Sequence, residues 1–313
     1  MPLYANGILI PENSANDLIV NSINITQVIA NGIVVWTQSL GFTKSIFYAG
    51  NTSTAVSTTT LLSPTVSLIQ AETSVGTARN QLAGANVGTN ALFYGGAGFN
   101  IATLLSPTAT LVQTETNVGT VRRGLGNANI GTNALFYAGY NGSTLSIATL
   151  LSPTAILVQT ESNVGTAREG PAGANVGTNA LFYGGSISSG LSITTLLSST
   201  ATLVQAEINV GTARYYLSGA NVGTNALFYA GNNSSISNIT TLLSPTATLV
   251  QVESNIGTAR YYLAGANVGI NALFYGGYYP SQNKATLLSP TATLVQAETN
   301  IGTARFELAG SSL

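Results

Sequence analysis

One phrase recurs six times along the 313-residue chain. Phe-Tyr-(Ala/Gly)-Gly begins at Phe47, Phe93, Phe136, Phe182, Phe228 and Phe274, in steps of 46, 43, 46, 46 and 46 residues. Self-similarity at a period of this size marks a repeat architecture, in which no unit buries its faces alone.

Residues 79 to 122 give the template. Gln81 to Asn86 is small and apolar, Gly88-Thr89-Asn90 carries a hairpin turn signal, and Ala91-Leu92-Phe93-Tyr94 is a continuous apolar run ending at Gly95-Gly96. A continuous run suits a strand buried on both faces. Ala102-Thr103-Leu104-Leu105 follows, then Ser106-Pro107-Thr108, where proline presets a tight turn, and Ala109 to Gln113 as the expected fourth strand. Residues 115 to 120 then lead to the next arginine. No segment has helical periodicity. Units of four short strands pack around an axis as propeller blades. The competitor, a parallel β-helix, has shorter periods and lacks strong hairpins.

The two ends complement each other. Residues 305 to 310 supply an innermost-strand segment with no Phe-Tyr strand after it, whereas Ser45-Ile46-Phe47-Tyr48 has no Thr-Ala-Arg segment before it. Joined, they make one blade and leave no open edge. The expected fold is therefore an all-β, six-bladed propeller over residues 41–313, closed by strands from both ends and preceded by a small β-hairpin segment, residues 1–40. Within the latter, Ala5-Asn6-Gly7 and Ala30-Asn31-Gly32 are each followed by an apolar run, a strong hairpin signal.

Composition narrows function. Charged residues make up 6% of the chain, against roughly 25% in ordinary domains, and the formal net charge is −1. No broad field attracts nucleic acid or an anionic membrane. No apolar run approaches the length of a membrane span, and the first residues do not read as a secretory signal. There is no cysteine and no histidine. The commonest general base and transition-metal ligand are thus missing, and neither cofactor nor metal is expected.

Each repeat carries one glutamate and, seven residues on, one arginine: Glu72 and Arg79, Glu115 and Arg122, Glu161 and Arg168, Glu207 and Arg214, Glu253 and Arg260, Glu298 and Arg305. Residues present in every blade serve the blade, so these read as structural ties. Of the unrepeated acids, Glu12, Asp17, Glu169 and Glu307, the last two read as solvated loop charges. Glu169 and Glu307 follow repeat arginines and are expected at equivalent positions two blades apart, which would allow a glycosidase-like carboxylate pair.

The copies differ in two places: after Phe-Tyr-(Ala/Gly)-Gly and just after each arginine. In an up-and-down blade both lie at one end. Loops on a rigid scaffold are where binding resides, and aromatics there can stack on sugars or anchor a protein. The candidate binding residues are Phe99, Tyr140, Tyr215, Tyr216, Tyr261, Tyr262, Tyr278 and Tyr279; drift in unconstrained loops, or packing of the Tyr-Tyr pairs within strands, is the plain alternative.

The element order resembles the kelch family of propellers, through Gly95-Gly96, Leu105-Ser106-Pro107 and Thr120-Val121-Arg122 and their counterparts. It departs in lacking the outer-strand tryptophan, in having serine for the turn aspartate, and in alanine at Ala49, Ala138 and Ala230. The segment N-G-I-x-I-P-E-N followed by V-I-A-N-G-I-V-V-W resembles amino-terminal segments of bacteriophage tail and fibre proteins, and the repeats are similar to propeller repeats of phage virion proteins. That resemblance implies a non-enzymatic virion surface protein of tail-fibre, spike or decoration type, assembled in the host cytoplasm and present in several copies. Residues 1–40, through Ile8, Ile10, Ile33, Val35 and Trp36, would attach to other virion proteins. The propeller would be displayed toward a host glycan or envelope protein. The alternative is a free lectin-like propeller. Neither the sialidase Ser-x-Asp box nor the histidine and cysteine of kelch-type copper oxidases is present.

Overall fold

The structure, a computed structural model, describes residues 43–313 in full. Of residues 1–42 it describes only the backbone pairing of six short strands. Contacts divide the chain into two compact units, Met1–Gly41 and Phe42–Leu313.

In the first unit, Leu3–Ala5 pairs antiparallel with Ile8–Ile10, Leu18–Val20 with Ile23–Ile25, and Gln27–Ala30 with Ile33–Thr37. The outer two pairs flank the Asn-Gly dipeptides; the middle pair has no such marker and was not expected. The side chains of Ile8, Ile10, Ile33, Val35 and Trp36 lie outside the described residues.

The second unit is a six-bladed β-propeller of four-stranded antiparallel sheets. Blade I is closed by the two ends of the unit: the innermost strand Ala309–Ser312 pairs with Ser45–Tyr48 in the register Ala309 to Tyr48, Gly310 to Phe47, Ser311 to Ile46 and Ser312 to Ser45. Thr58–Leu62 and Thr73–Ser74 complete it. Blades II to VI begin at Ala83–Val87, Gly126–Ile130, Ala172–Val176, Ser218–Val222 and Ala264–Val268.

The recurring Phe-Tyr dipeptide explains the stacking of blades. Adjacent strand residues point to opposite faces, so each blade offers phenylalanine to one neighbour and tyrosine to the other. The six contacts Tyr48–Phe93, Tyr94–Phe136, Tyr137–Phe182, Tyr183–Phe228, Tyr229–Phe274 and Tyr275–Phe47 run round the ring with centroids 4.9 to 5.2 Å apart. All twelve rings are fully buried, each pair worth about 0.5–1.5 kcal/mol beyond its area. Near the axis the innermost strands nearly touch: a Cβ at Gly219, Gly265 or Gly310 would lie 2.5 to 2.6 Å from the carbonyl oxygen of the corresponding glycine one blade back.

One expectation is corrected, and the partners of the repeat arginines, left open by the sequence, are settled. The fourth strand is not Ala109–Gln113 but the two residues Thr116–Asn117, paired with Ile101 and Ala102. The Ser106–Thr110 turn uses Ala109 at φ +57°, and only Leu111 bridges back to Leu105. Leu111 and Val112 are left 41% and 48% exposed. The ion pairs do not follow the seven-residue spacing. Arg79 pairs with Glu115, not Glu72, and likewise Arg122 with Glu161, Arg168 with Glu207, Arg214 with Glu253, Arg260 with Glu298 and Arg305 with Glu72, at 3.1 to 4.0 Å. Each arginine enters the next blade and runs buried along it, within reach of that blade's own outer-strand glutamate. The Arg305–Glu72 pair joins the two ends of the unit.

Candidate functional site

The antiparallel order of each blade separates two ends. Gly88-Thr89 and Ser106–Thr110 with their counterparts form one, which repeats almost unchanged. The residues after each arginine and the loop after each Phe-Tyr strand form the other. The chain enters the propeller at the repeated end, where Lys44 exchanges backbone hydrogen bonds with Leu313 at 2.8 and 3.2 Å.

At the other end the two variable regions pair directly. Antiparallel bridges join Phe306 to Asn51, Arg123 to Tyr140, Glu169 to Ser186, Tyr215 to Asn232 and Tyr261 to Tyr278, and in blade II the Ala97 N–H donates to the Asn80 carbonyl at 3.0 Å. The position one residue further on sits at the channel mouth. There Gln81, Gly124, Gly170, Tyr216, Tyr262 and Glu307, one per blade, form a closed circle of backbone hydrogen bonds. Each N–H donates to the carbonyl one blade back, Gly124 to Gln81, Gly170 to Gly124, Tyr216 to Gly170, Tyr262 to Tyr216, Glu307 to Tyr262 and Gln81 to Glu307, at 2.7 to 3.0 Å.

All six residues have left-handed backbone, with φ between +51° and +67°. For glycine this costs little; for the other four it costs about 1–2 kcal/mol each. Strain of this kind persists where surrounding structure imposes it and clusters at functional sites. The side chains lean back over the preceding blade. A Cβ at Gly170 would lie 2.5 Å from Tyr216 Cδ1, and one at Gly124 would lie 2.8 Å from Glu169 Cγ. Glycine at these two positions makes room for the tyrosine and the glutamate.

The mouth is therefore asymmetric. Tyr216 and Tyr262 stack with centroids 4.0 Å apart and planes at 29°. Tyr262 continues to Tyr261 at 4.9 Å, Tyr261 to Tyr278 at 5.6 Å, and Tyr278 to Phe306 at 4.7 Å, with Tyr215 against Tyr216 at 4.9 Å. Next to Tyr262 in the circle, Glu307 accepts at Oε1 from Gln81 Nε2 at 2.7 Å. Arg123 pairs with Glu169 at 3.4 Å and lies 5.0 Å over the Tyr140 ring. Burial pushes the Glu307 carboxyl up from its ordinary value, despite hydrogen bonds from Gln81 and Asn51 and the Arg123 charge. Burial likewise pushes the Tyr216 hydroxyl up to about 12.

Of the candidate residues, Tyr215, Tyr216, Tyr261, Tyr262 and Tyr278 form one cluster. Tyr140 lies apart from it beside Arg123, Phe99 packs on none of these rings, and Tyr279 projects 64% exposed. The Tyr-Tyr pairs are not strand packing, because they precede the strands. Two acids read as solvated are not: Glu169 and Glu307 are half-buried. They are also not equivalent, since Glu169 directly follows its arginine whereas Glu307 is one residue later. They serve blades IV and I, which are opposite in the ring rather than two apart. Gln81, Glu307 and Phe306 were missed as site residues; the signal was chemistry that changes at a position the repeat otherwise keeps.

No protein-family model matches this chain, and no curated protein matches it in sequence.

Proposed function

We propose that this chain is a non-enzymatic binding propeller of a phage virion surface. Residues 1–40 attach it to other virion proteins, and the variable end takes a ligand on the host surface. The virion part rests on the resemblance of the amino-terminal segment and the repeats to kelch-like phage proteins. The binding part rests on one observation: both stretches in which the copies diverge meet at one end, around a strained aromatic mouth. The absence of histidine and cysteine from the sequence favours binding over turnover.

Two measurements test the reading. The full chain on a glycan array binds a restricted set of structures, and Tyr261→Ala weakens binding about tenfold or more, as for an interfacial aromatic anchor. Absence of binding to every glycan and to host cells rejects the host-surface role. In phage particles the chain is found as a virion component and is lost on deletion of residues 1–40; unchanged incorporation rejects the attachment role. A free lectin-like propeller is the second reading, favoured if the chain binds glycan but is found in no particle.

A further inference from the structure

The eight glutamates of the described residues divide unequally. Seven form ion pairs with an arginine. Glu307 alone pairs with no cation among the described residues, although it is half-buried at the centre of the variable end. Arg123 acts on it from a distance but forms no ion pair with it, and a carboxylate withdrawn from water in this way gains from a cation that arrives from outside. Glu307 shares a mouth of about 60 Å³ with Gln81, Tyr216 and Tyr262. At about 10–15 Å³ of such space per water, this is room for a few waters or one small polar head group.

Among the residues that line the mouth, the one buried side-chain atom without a partner is an acceptor, Gln81 Oε1. Asn51 Oδ1 and Asn232 Oδ1, outside the mouth lining, are also buried acceptors with no donor. The unpartnered donors, the Nε atoms of the repeat arginines and Arg79 Nη1, lie buried outside the mouth lining, and Arg123 Nε faces the carboxylate of Glu169 at 3.4 Å. A ligand that fits must therefore bring donors. An anionic sugar brings acceptors and would meet Glu307 directly. An ammonium group brings three donors and a positive charge, and aromatic walls such as Tyr216 and Tyr262 favour a cation.

We propose that the mouth is an amino-sugar site: a protonated amine on a pyranose enters between Glu307 and the Tyr216–Tyr262 stack, beside the Gln81 amide. The inference rests on the host-glycan reading above and names the glycan class. The exposed Tyr278 continues the aromatic surface outward for the next sugar of a chain.

The test titrates the full chain by calorimetry with short β-linked glucosamine oligomers and with the same oligomers fully N-acetylated, which keep the ring and lose the charge. The glucosamine form binds about tenfold or more tightly, the difference expected of a charge-assisted hydrogen bond, and Glu307→Gln removes the preference. Equal affinity for the two forms overturns the amino-sugar site and leaves glycan binding standing. Binding of neither form, with other glycans bound, overturns the site alone; binding of no glycan overturns both. A lysine-rich peptide that binds as tightly as the glucosamine oligomer also overturns it, since the sugar then contributes nothing. Because the two ligands are compared on the unaltered chain, the result does not depend on the variant folding; the variant's fold is checked by its melting curve.

Discussion

At the scale of the residue, the molecule places nearly all its charge in buried pairs. Glu115 illustrates the balance. Burial alone would push its carboxyl up, but hydrogen bonds from Thr103 and Thr77 and the charge of Arg79 outweigh it and hold the group below its ordinary value near 4.5. Glu161, Glu207 and Glu298 are depressed in the same way. A carboxyl depressed in the folded state stabilises the fold above its unfolded pKa, and that contribution is lost as pH falls through the folded value. Four such groups predict a steep loss of stability below about pH 4.5, measurable as melting temperature against pH. Glu207→Ala leaves Arg168 buried and unpaired, lowers stability at pH 7 by about 3 kcal/mol, and flattens the acid limb. An acid limb unchanged in this variant would show that the pairs do not set the pH response. Glu307 has the opposite sign: its raised pKa opposes folding as pH rises through the unfolded value.

At the scale of the element, the short crossing between blades is the decisive piece. In five residues it passes from the buried arginine through a left-handed residue into the innermost strand. Its hydrogen bond to the previous crossing makes six local turns into one ring. Gly170→Ala tests this. The substitution adds a Cβ where φ is +67° and 2.5 Å from Tyr216 Cδ1, and is expected to cost about 1–2 kcal/mol from the backbone alone. It also shifts Tyr216 off Tyr262, weakening ligand binding at temperatures where the variant is folded. Denaturant melts and titrations of the same preparation separate the two effects; unaltered binding would show that the stacked pair is not part of the site. Glycine at this crossing was legible only as variation. Nothing local in Glu169-Gly170 announces that Tyr216, 46 residues away, fills the space above it.

At the scale of the whole molecule, the last four strand residues hold the circle shut. Ala309–Ser312 supplies the innermost strand of blade I, Arg305 reaches Glu72, and Glu307 supplies two of the six mouth hydrogen bonds. Truncation after Arg305 removes the strand and Glu307 together and bares the edge of Ser45–Tyr48. A repeat ring opened in this way loses its single cooperative transition and gains an edge prone to pairing between chains. The truncated chain is therefore expected to melt broadly and to elute as aggregates in size-exclusion chromatography. A sharp melt at the full-length temperature would show that closure contributes little.

The sequence by itself determined the number of blades, the hairpins within them and the joining of the two ends, because these follow from period, turn chemistry and complementary fragments. It also marked where copies diverge. Only the tertiary structure decided which glutamate each arginine meets, that the outer strand is Thr116–Asn117 rather than the apolar run before it, and that one carboxylate, Glu307, sits beside tyrosines with no arginine in an ion pair. Those outcomes depend on which side chains converge across blades some forty residues apart in the chain. Local propensity carries no information about which charge will be left over when the ring closes.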